Sequence, residues 1–209
     1  MLSILNCLGS SISVNYIYKM KPNDYLILYH GDNKVYSVIE GTLIVNKCFS
    51  NNEMFTTNIV SVGGIISPCF YSLPTNNYFY MIEAISISYI IGLSYKKNSE
   101  KNLCYVYNRS SYISPYSYHD IEEVLIHKTV KHRLIHLLLV LSQMCGVKHG
   151  NKVYLKVILS YKTLSCITGT SENTISKLIR YLTIIDLIKY REKRITIHNL
   201  IILSRYHYR

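Results

Sequence analysis

One glycine, Gly169, divides two short apolar patterns and sets what residues 159–190, LSYKTLSCITGTSENTISKLIRYLTIIDLIKY, can become. Ahead of it, Leu164 and Ile167 lie three apart on one side of a helix expected to start at Ser160 and run to Thr168. Gly169 ends that helix, because glycine enters the left-handed region without a Cβ penalty. Ser171 then offers a cap oxygen to the first amides of a second helix, in which Ile175, Leu178, Ile179 and Leu182 recur at i, i+3, i+4 and i+7. At about 100° per residue, the opposite face carries Asn173, Lys177 and Arg180, with Ser176 beside them.

Two helices joined by a short glycine turn, the second with a cationic, hydrogen-bonding outer face, predict a helix-turn-helix whose second helix enters the major groove of DNA. The competing reading is an ordinary helical hairpin with a solvated charged face. Residues 190–199, YREKRITIHN, read as a β-hairpin with Arg191, Glu192, Lys193 and Arg194 at its tip. Such a wing contacts phosphates beside the groove and fixes orientation without reading sequence.

Charge placement favours the first reading. The net charge is +11, and from Val147 onward seven Lys and five Arg face only Glu172, Asp186 and Glu192, a balance of +9. A cationic end is the electrostatic footprint of phosphate binding, with affinity that falls as salt rises. A protein that coats DNA without regard to sequence would carry the same charge, and differs in having no preferred half-site spacing. Many Ile, Asn and Lys and 21 tyrosines without tryptophan suggest an AT-rich coding sequence. The tyrosines are expected as half-buried packing residues, not a single-strand stacking platform.

The runs HRLIHLLLVLSQMCGV from His132, LSYKTLSCITGTSENTISKLIRYL, and IKYREKRITIHNLIILSR to Arg205 resemble the DNA-binding domain of the CRP/FNR transcription regulators. Within that superfamily they are most similar to the NtcA-type nitrogen-control regulators and their plastid-encoded relatives. The resemblance implies an α+β chain in three parts: an N-terminal cyclic-nucleotide-binding-type β-roll (a jelly roll) over residues 1–100, a connector and dimerisation helix over 101–128, and a C-terminal winged helix-turn-helix over 129–209. It implies a homodimer on double-stranded DNA that works with a bacterial-type RNA polymerase, in the plastid stroma if plastid-encoded and otherwise in a bacterial cytoplasm. Thr170, Ser171 and the first amides of the recognition helix would approach phosphate, and Glu172, Asn173, Thr174, Ser176 and Lys177 would lie along the groove. Asparagine suits adenine and lysine suits guanine. Arg180, Arg191, Lys193 and Arg194 would clamp the backbone. Relatives carry Arg where this chain has Glu172 and Lys177, so the operator is expected to differ from the family's.

Short β-rich runs at residues 25–29, 35–39, 42–45, 54–60, 79–86 and 89–93, with turns at Gly31-Asp32 and Gly41, fit the roll. Residues 1–18 show no clear period and read as a lead-in. The resemblance places a ligand loop at residues 63–68, followed by Tyr78, yet the Glu and Arg that hold a cyclic nucleotide are absent. The two arginines that hold 2-oxoglutarate in NtcA-type relatives fall on Tyr78 and Ser114, and neither Lys97 nor Arg109 takes their place. A buried dianion without cations costs several kcal/mol, so neither effector is expected, and the roll either packs only on itself or holds another small molecule. Ser114-Pro115 should begin the connector helix, with Tyr118, Ile121 and Leu125 forming a dimer seam. Thr129 should cap a new helix whose Leu134, Leu137, Leu138, Leu141 and Met144 pack under the helix-turn-helix, and Gly146 should close it.

Other classes fit less well. His30 and Glu40 invite a cupin-like metal enzyme, but two ligands rarely hold a metal, so no enzyme, metal or cofactor is expected. Cys7, Cys48, Cys69, Cys104, Cys145 and Cys166 stand singly, with no C-x-x-C and no N-terminal cluster for an iron–sulfur sensor; reduced, mostly buried thiols are expected. The longest apolar runs fall short of a bilayer span, and no membrane partner is expected.

Overall fold

The computed structural model describes residues 12–28, 34–66, 78–95 and 118–207. It divides into two compact units, Met1–Met54 with Asn58–His119, and Phe55–Thr57 with Asp120–Arg209.

The first unit is built of antiparallel strands: β1 (Ile12–Met20), β2 (Tyr25–Leu28), β3 (Lys34–Glu40), β4 (Thr42–Phe49), β5 (Met54–Ser61), β6 (Ile65–Ile66), β7 (Tyr78–Ala84), β8 (Ser88–Tyr95) and β9 (Tyr118–Asp120). They form one sheet in the order β1-β8-β3-β6 and another in the order β2-β7-β4-β5-β9. Alternation explains the core. Tyr36 and Val38 from β3, Leu43 and Val45 from β4, and Ile82 and Ala84 from β7 are two apart and point inward, where they meet Met20, Leu28, Val60, Ile66 and Ile90. Both sheets contribute to this one cluster, as in the expected jelly roll. Gly41 makes the β3–β4 corner at φ +92°, where an added Cβ would lie 2.5 Å from the Ile87 carbonyl.

The expected strands recur with edges shifted by a few residues, and β1, β6 and β9 were missed. β1 pairs with β8 where a lead-in was expected; a register shift between Val14 and Tyr16 breaks its period of two and hides the strand. β6 has only two residues and is recognised by its pairing with Tyr36 and Ser37. Gly31-Asp32, His30, Lys97, Arg109, Ser114 and Pro115 lie outside the described residues.

The second unit begins with a short helix α1 (Glu122–Leu125), then α2 (Val130–Cys145), β10 (Gly146–His149), β11 (Lys152–Leu155), α3 (Tyr161–Thr168), α4 (Glu172–Ile184), β12 (Ile188–Arg191), β13 (Arg194–Ile197) and α5 (Leu200–His207). The expected helical seam of Tyr118, Ile121 and Leu125 does not form. Tyr118 is in strand β9, not a helix, and Ile121 precedes α1 with its N–H donating to the Thr57 carbonyl at 3.0 Å. Sheet pairing outweighed a three-residue helical spacing. Thr129 does cap α2, accepting from the His132 amide at 3.3 Å, and Leu134, Leu137, Leu138 and Leu141 are fully buried. Gly146 ends α2 with extended backbone and opens β10 instead of a loop. The strands order as β10-β11-β13-β12. Cys48, Cys145 and Cys166 are half-buried, more open than expected, and form no disulfide.

Candidate nucleic-acid interface

The helix-turn-helix is assembled from local rules. Ser160 caps α3, its Oγ accepting from the Thr163 amide at 3.0 Å. Gly169 closes it in the left-handed conformation, φ 62° and ψ 48°, and its N–H donates to the Ser165 carbonyl. The Thr170 amide shares that carbonyl at 3.1 Å. Ser171 then caps α4 by accepting from the Thr174 amide at 3.3 Å, with Thr174 Oγ1 2.9 Å away.

Along α4, Ile175, Ile179 and Leu182 are buried, and Leu178 is half-buried at the edge of that stripe. The other side carries Asn173, Lys177 and Arg180, all exposed, and Ser176, half-exposed with its hydroxyl donating to the Asn173 carbonyl. Glu172 and Ser171 are exposed at the helix start, while Thr170 and Thr174 are partly covered. The expected groove-facing residues therefore stand together on one accessible surface, at the end of the helix where amides offer partial positive charge.

The hairpin β12–β13 brings up Arg191, Lys193 and Arg194, all exposed. Arg191 pairs across the strands with Arg194, and Glu192 and Lys193 turn the chain at φ 52° and 60°. Positive φ at both central positions is the turn whose twist suits a two-residue hairpin, occupied here by residues that do not favour it. The Arg191–Glu192 ion pair, 3.4 Å long and about three-quarters exposed at both ends, adds little. Every described Lys and Arg from Lys148 onward is exposed, so the cationic surplus read in the sequence is on the surface.

Three features that hold this surface went unread in the sequence. The wing is fastened to the segment before α3: the Leu159 amide donates to the Lys193 carbonyl at 2.7 Å, the Tyr190 hydroxyl donates to the Leu159 carbonyl at 2.9 Å, and Tyr161 stacks on Tyr190 at 5.1 Å. Burial, and secondarily the neighbouring Tyr161, raises the Tyr190 phenol above its ordinary range. The β10–β11 hairpin adds exposed Lys148 and Lys152 around Gly150 at φ 58°; His149-Gly150-Asn151 ahead of the alternating Val153 and Leu155 was its signal. Finally, Arg133 of α2 donates from Nε to the His127 carbonyl at 2.8 Å and from Nη1 to the Thr168 carbonyl at 3.2 Å, bracing the last turn of α3.

No family model matches the chain. By sequence it is similar to the helix-turn-helix-type transcriptional regulator ycf28 of Porphyra purpurea, 26% identical over 200 residues that cover 92% of this chain and 82% of that protein. It is also similar to the global nitrogen regulator of a Nostoc species, 22% identical over 190 residues, 86% of this chain and 84% of that one. By structure it resembles a CRP/FNR-family transcriptional regulator of Thermus thermophilus, with TM-score 0.67 and 18% identity over 93% of this chain and 99% of that one. A CRP-family regulator of the same organism gives TM-score 0.68 and 18% identity over 92% and 97%. The chain therefore has the fold of the CRP/FNR-family regulators, and its sequence relatives are a ycf28 regulator and a global nitrogen regulator.

Proposed function

We propose that the chain is a sequence-specific DNA-binding transcription regulator of the CRP/FNR type, with an NtcA-like part in nitrogen-responsive control. The observation that carries this reading is the two-sided helix α4: buried Ile175, Ile179 and Leu182 behind, exposed Asn173, Lys177 and Arg180 in front. In it, Asn173 and Lys177 meet base edges, with Glu172, Thr174 and Ser176 alongside; Thr170, Ser171, Arg180, Arg191, Lys193 and Arg194 hold phosphates. Residues 1–100 serve as an effector-type roll, 101–128 as connector and dimer contact, and 129–209 as the DNA-binding part. The protein acts as a homodimer with a bacterial-type RNA polymerase, in the plastid stroma where plastid-encoded, and has no enzymatic role.

The roll is not assigned 2-oxoglutarate. Tyr78 is uncharged, and its ring face is taken by the Lys47 ammonium, 3.7 Å from the centroid. Titration calorimetry with 2-oxoglutarate is expected to show no heat; micromolar binding would overturn this part.

Selection of bound sites from random duplexes tests the main reading. Two inverted half-sites at fixed spacing are expected. Recovery of duplexes without any shared motif would make the chain a nonspecific DNA binder and refute the base-reading role of α4.

A further inference from the structure

We propose that helix α5 and the end of α4 form a contact surface for a second copy of this chain, which joins two second units about a two-fold axis. Tyr181, Ile184 and Ile185 at the end of α4 and Ile201 and Ile202 on α5 are all exposed, Ile184 at 75%, Ile201 at 64% and Ile202 at 52%. Two tethers set these helices side by side and antiparallel. The Tyr181 and Tyr206 hydroxyls share a hydrogen bond at one end, and His198 Nδ1 lies 2.9 Å from the Asp186 carboxylate at the other. The isoleucines fall between the tethers and so belong to one patch. Single exposed hydrophobic residues need no explanation, whereas a contiguous patch marks an interaction surface.

Helix α5 is two-sided in the same way as α4. Leu203 is fully buried, while Ile201 and Arg205, two residues or about 200° to either side of it, are exposed. The charges on this outer side decide what covers it. Asp186 stands where α5 begins, its side chain 85% exposed, and Arg205 stands near the other end. At about 1.5 Å per residue the stretch from His198 to Arg205 spans about 10 Å, and its midpoint falls between Ile201 and Ile202. Turning a second copy by half a revolution about that midpoint lays α5 antiparallel on its twin. Isoleucine then meets isoleucine, and each Asp186 meets the Arg205 of the other copy. The patch is its own complement, which is the condition for a contact between like surfaces. An acidic protein or an anionic membrane surface would leave Asp186 facing like charge; a second copy gives both charges a partner.

The ion pairs lie at the rim, where they set orientation more than strength. Burial of the isoleucines supplies the attraction. Five side chains are few against the roughly 20–30 residues on each side of a standard interface, so the contact is weak and reversible. It is additional to any contact made by residues 101–128. Its consequence for DNA, cooperative filling of neighbouring sites, rests on the regulator function proposed for the chain; the contact itself does not, and its test uses no DNA.

The test is sedimentation velocity of the full chain over a wide concentration series, with circular dichroism to verify the fold of each variant. A reversible step that doubles the mass of the smallest species is expected. Ile202→Lys and Arg205→Glu should each raise the dissociation constant of that step by more than about tenfold. Ile87→Lys, at an exposed position of the first unit, should leave it unchanged. The two-fold geometry has its own readout. Under oxidation Ile202→Cys should link to its twin, seen by mass spectrometry as two joined peptides that both contain residue 202. Arg205→Cys should not link to itself, because the two copies of that residue lie about 10 Å apart, beyond disulfide reach. Absence of the doubling step would mean that a different partner, or none, covers the patch, and would overturn the proposal. A step unmoved by Ile202→Lys and Arg205→Glu, or linkage at residue 205 in place of 202, would overturn it equally.

Discussion

The division of labour between helix α4 and the wing is open to a paired substitution, Lys177→Ala against Lys193→Asn. Lys177 is exposed on the same face as Asn173, with the buried Ile175 and Ile179 behind it. Its truncation should not disturb the fold, because surface changes away from caps and partners stay within about 0.5 kcal/mol. If it reads a base, removing it costs about 1–3 kcal/mol on the preferred operator, about 5- to 150-fold in affinity, and almost nothing on a scrambled duplex. Lys193 needs a different substitution. It sits at φ 60°, a left-handed conformation that asparagine adopts more readily than alanine, so asparagine is the substitution that best keeps the wing in place. Asparagine removes the charge, tolerates that backbone, and leaves the Lys193 carbonyl to accept from the Leu159 amide at 2.7 Å.

Lys193→Asn should therefore weaken binding to operator and scrambled duplex alike. Its salt dependence should flatten by about 0.9 in the log–log slope for each phosphate that the wing no longer neutralises. Fluorescence anisotropy over a salt series on both duplexes measures all four quantities. Equal weakening on operator and scrambled duplex for Lys177→Ala would remove it from the base-reading set. A weakening confined to the operator for Lys193→Asn would mean that the wing reads sequence and the assignments are reversed.

Three further outcomes follow from the same geometry. Gly169→Ala should lose about 1–2 kcal/mol by backbone strain alone, since a Cβ would meet only Leu125 Cδ2 at 3.4 Å and Arg133 Nη1 at 3.8 Å; urea denaturation should show Gly169→Asn recovering much of it, and equal destabilisation by both would rule out the conformational account. Gly146→Ala should lose about 1–3 kcal/mol for the opposite reason, its backbone being ordinary while a Cβ would lie 2.7 Å from Val153 Cγ1 and closer still to the Ser142 carbonyl, so asparagine should give no rescue there. Because burial raises the Tyr190 phenol above 10.0, the unfolded chain ionises first, and stability present below that pH should fall as pH rises past it. Denaturation on either side of pH 10 should show that fall reduced in Tyr190→Phe, which also loses about 1 kcal/mol at neutral pH with its hydrogen bond to Leu159; an unchanged fall would place the ionisation elsewhere.

The parts legible in the sequence are those whose instructions are local. Ser160, Gly169 and Ser171 each act through a hydrogen bond within five residues, and the spacing of Ile175, Ile179 and Leu182 needs no partner to be read. The wing was legible for the same reason, its turn and alternating Ile195 and Ile197 being adjacent in the chain. What went unread depends on distant partners or broken patterns. β1 is masked by its register shift, and β9 is a strand because of its place in a sheet, not because of its three residues. α5 went unread, since Ile201 and Ile202 are exposed and blur any stripe; Asn199, accepting from the Ile201 and Ile202 amides at 2.9 and 3.1 Å, was its one clear sign. The Tyr161–Tyr190 stack joins residues 29 positions apart, and no periodicity reports such a pair.

The separation of roles within α4 bears on how such a surface can change. Its attachment rests on Ile175, Ile179 and Leu182, each at most 2% exposed, where truncation to alanine costs about 2–5 kcal/mol. Its outward residues make almost no contribution to that attachment: Asn173, Lys177 and Arg180 are exposed, and the cap that starts the helix comes from Ser171, one residue before it. Substitutions on the outer face are therefore nearly neutral for folding while each good base contact carries about 1–3 kcal/mol of discrimination. In the proposed function, stability and operator choice lie on opposite sides of one helix, so selection on one does not constrain the other. Glu172 and Lys177, where the resemblance leads one to expect arginine, stand on the unconstrained side. Under the base-reading role proposed for α4, a change of charge there alters which bases are preferred while the buried stripe, the glycine turn and the wing fastening remain as they are.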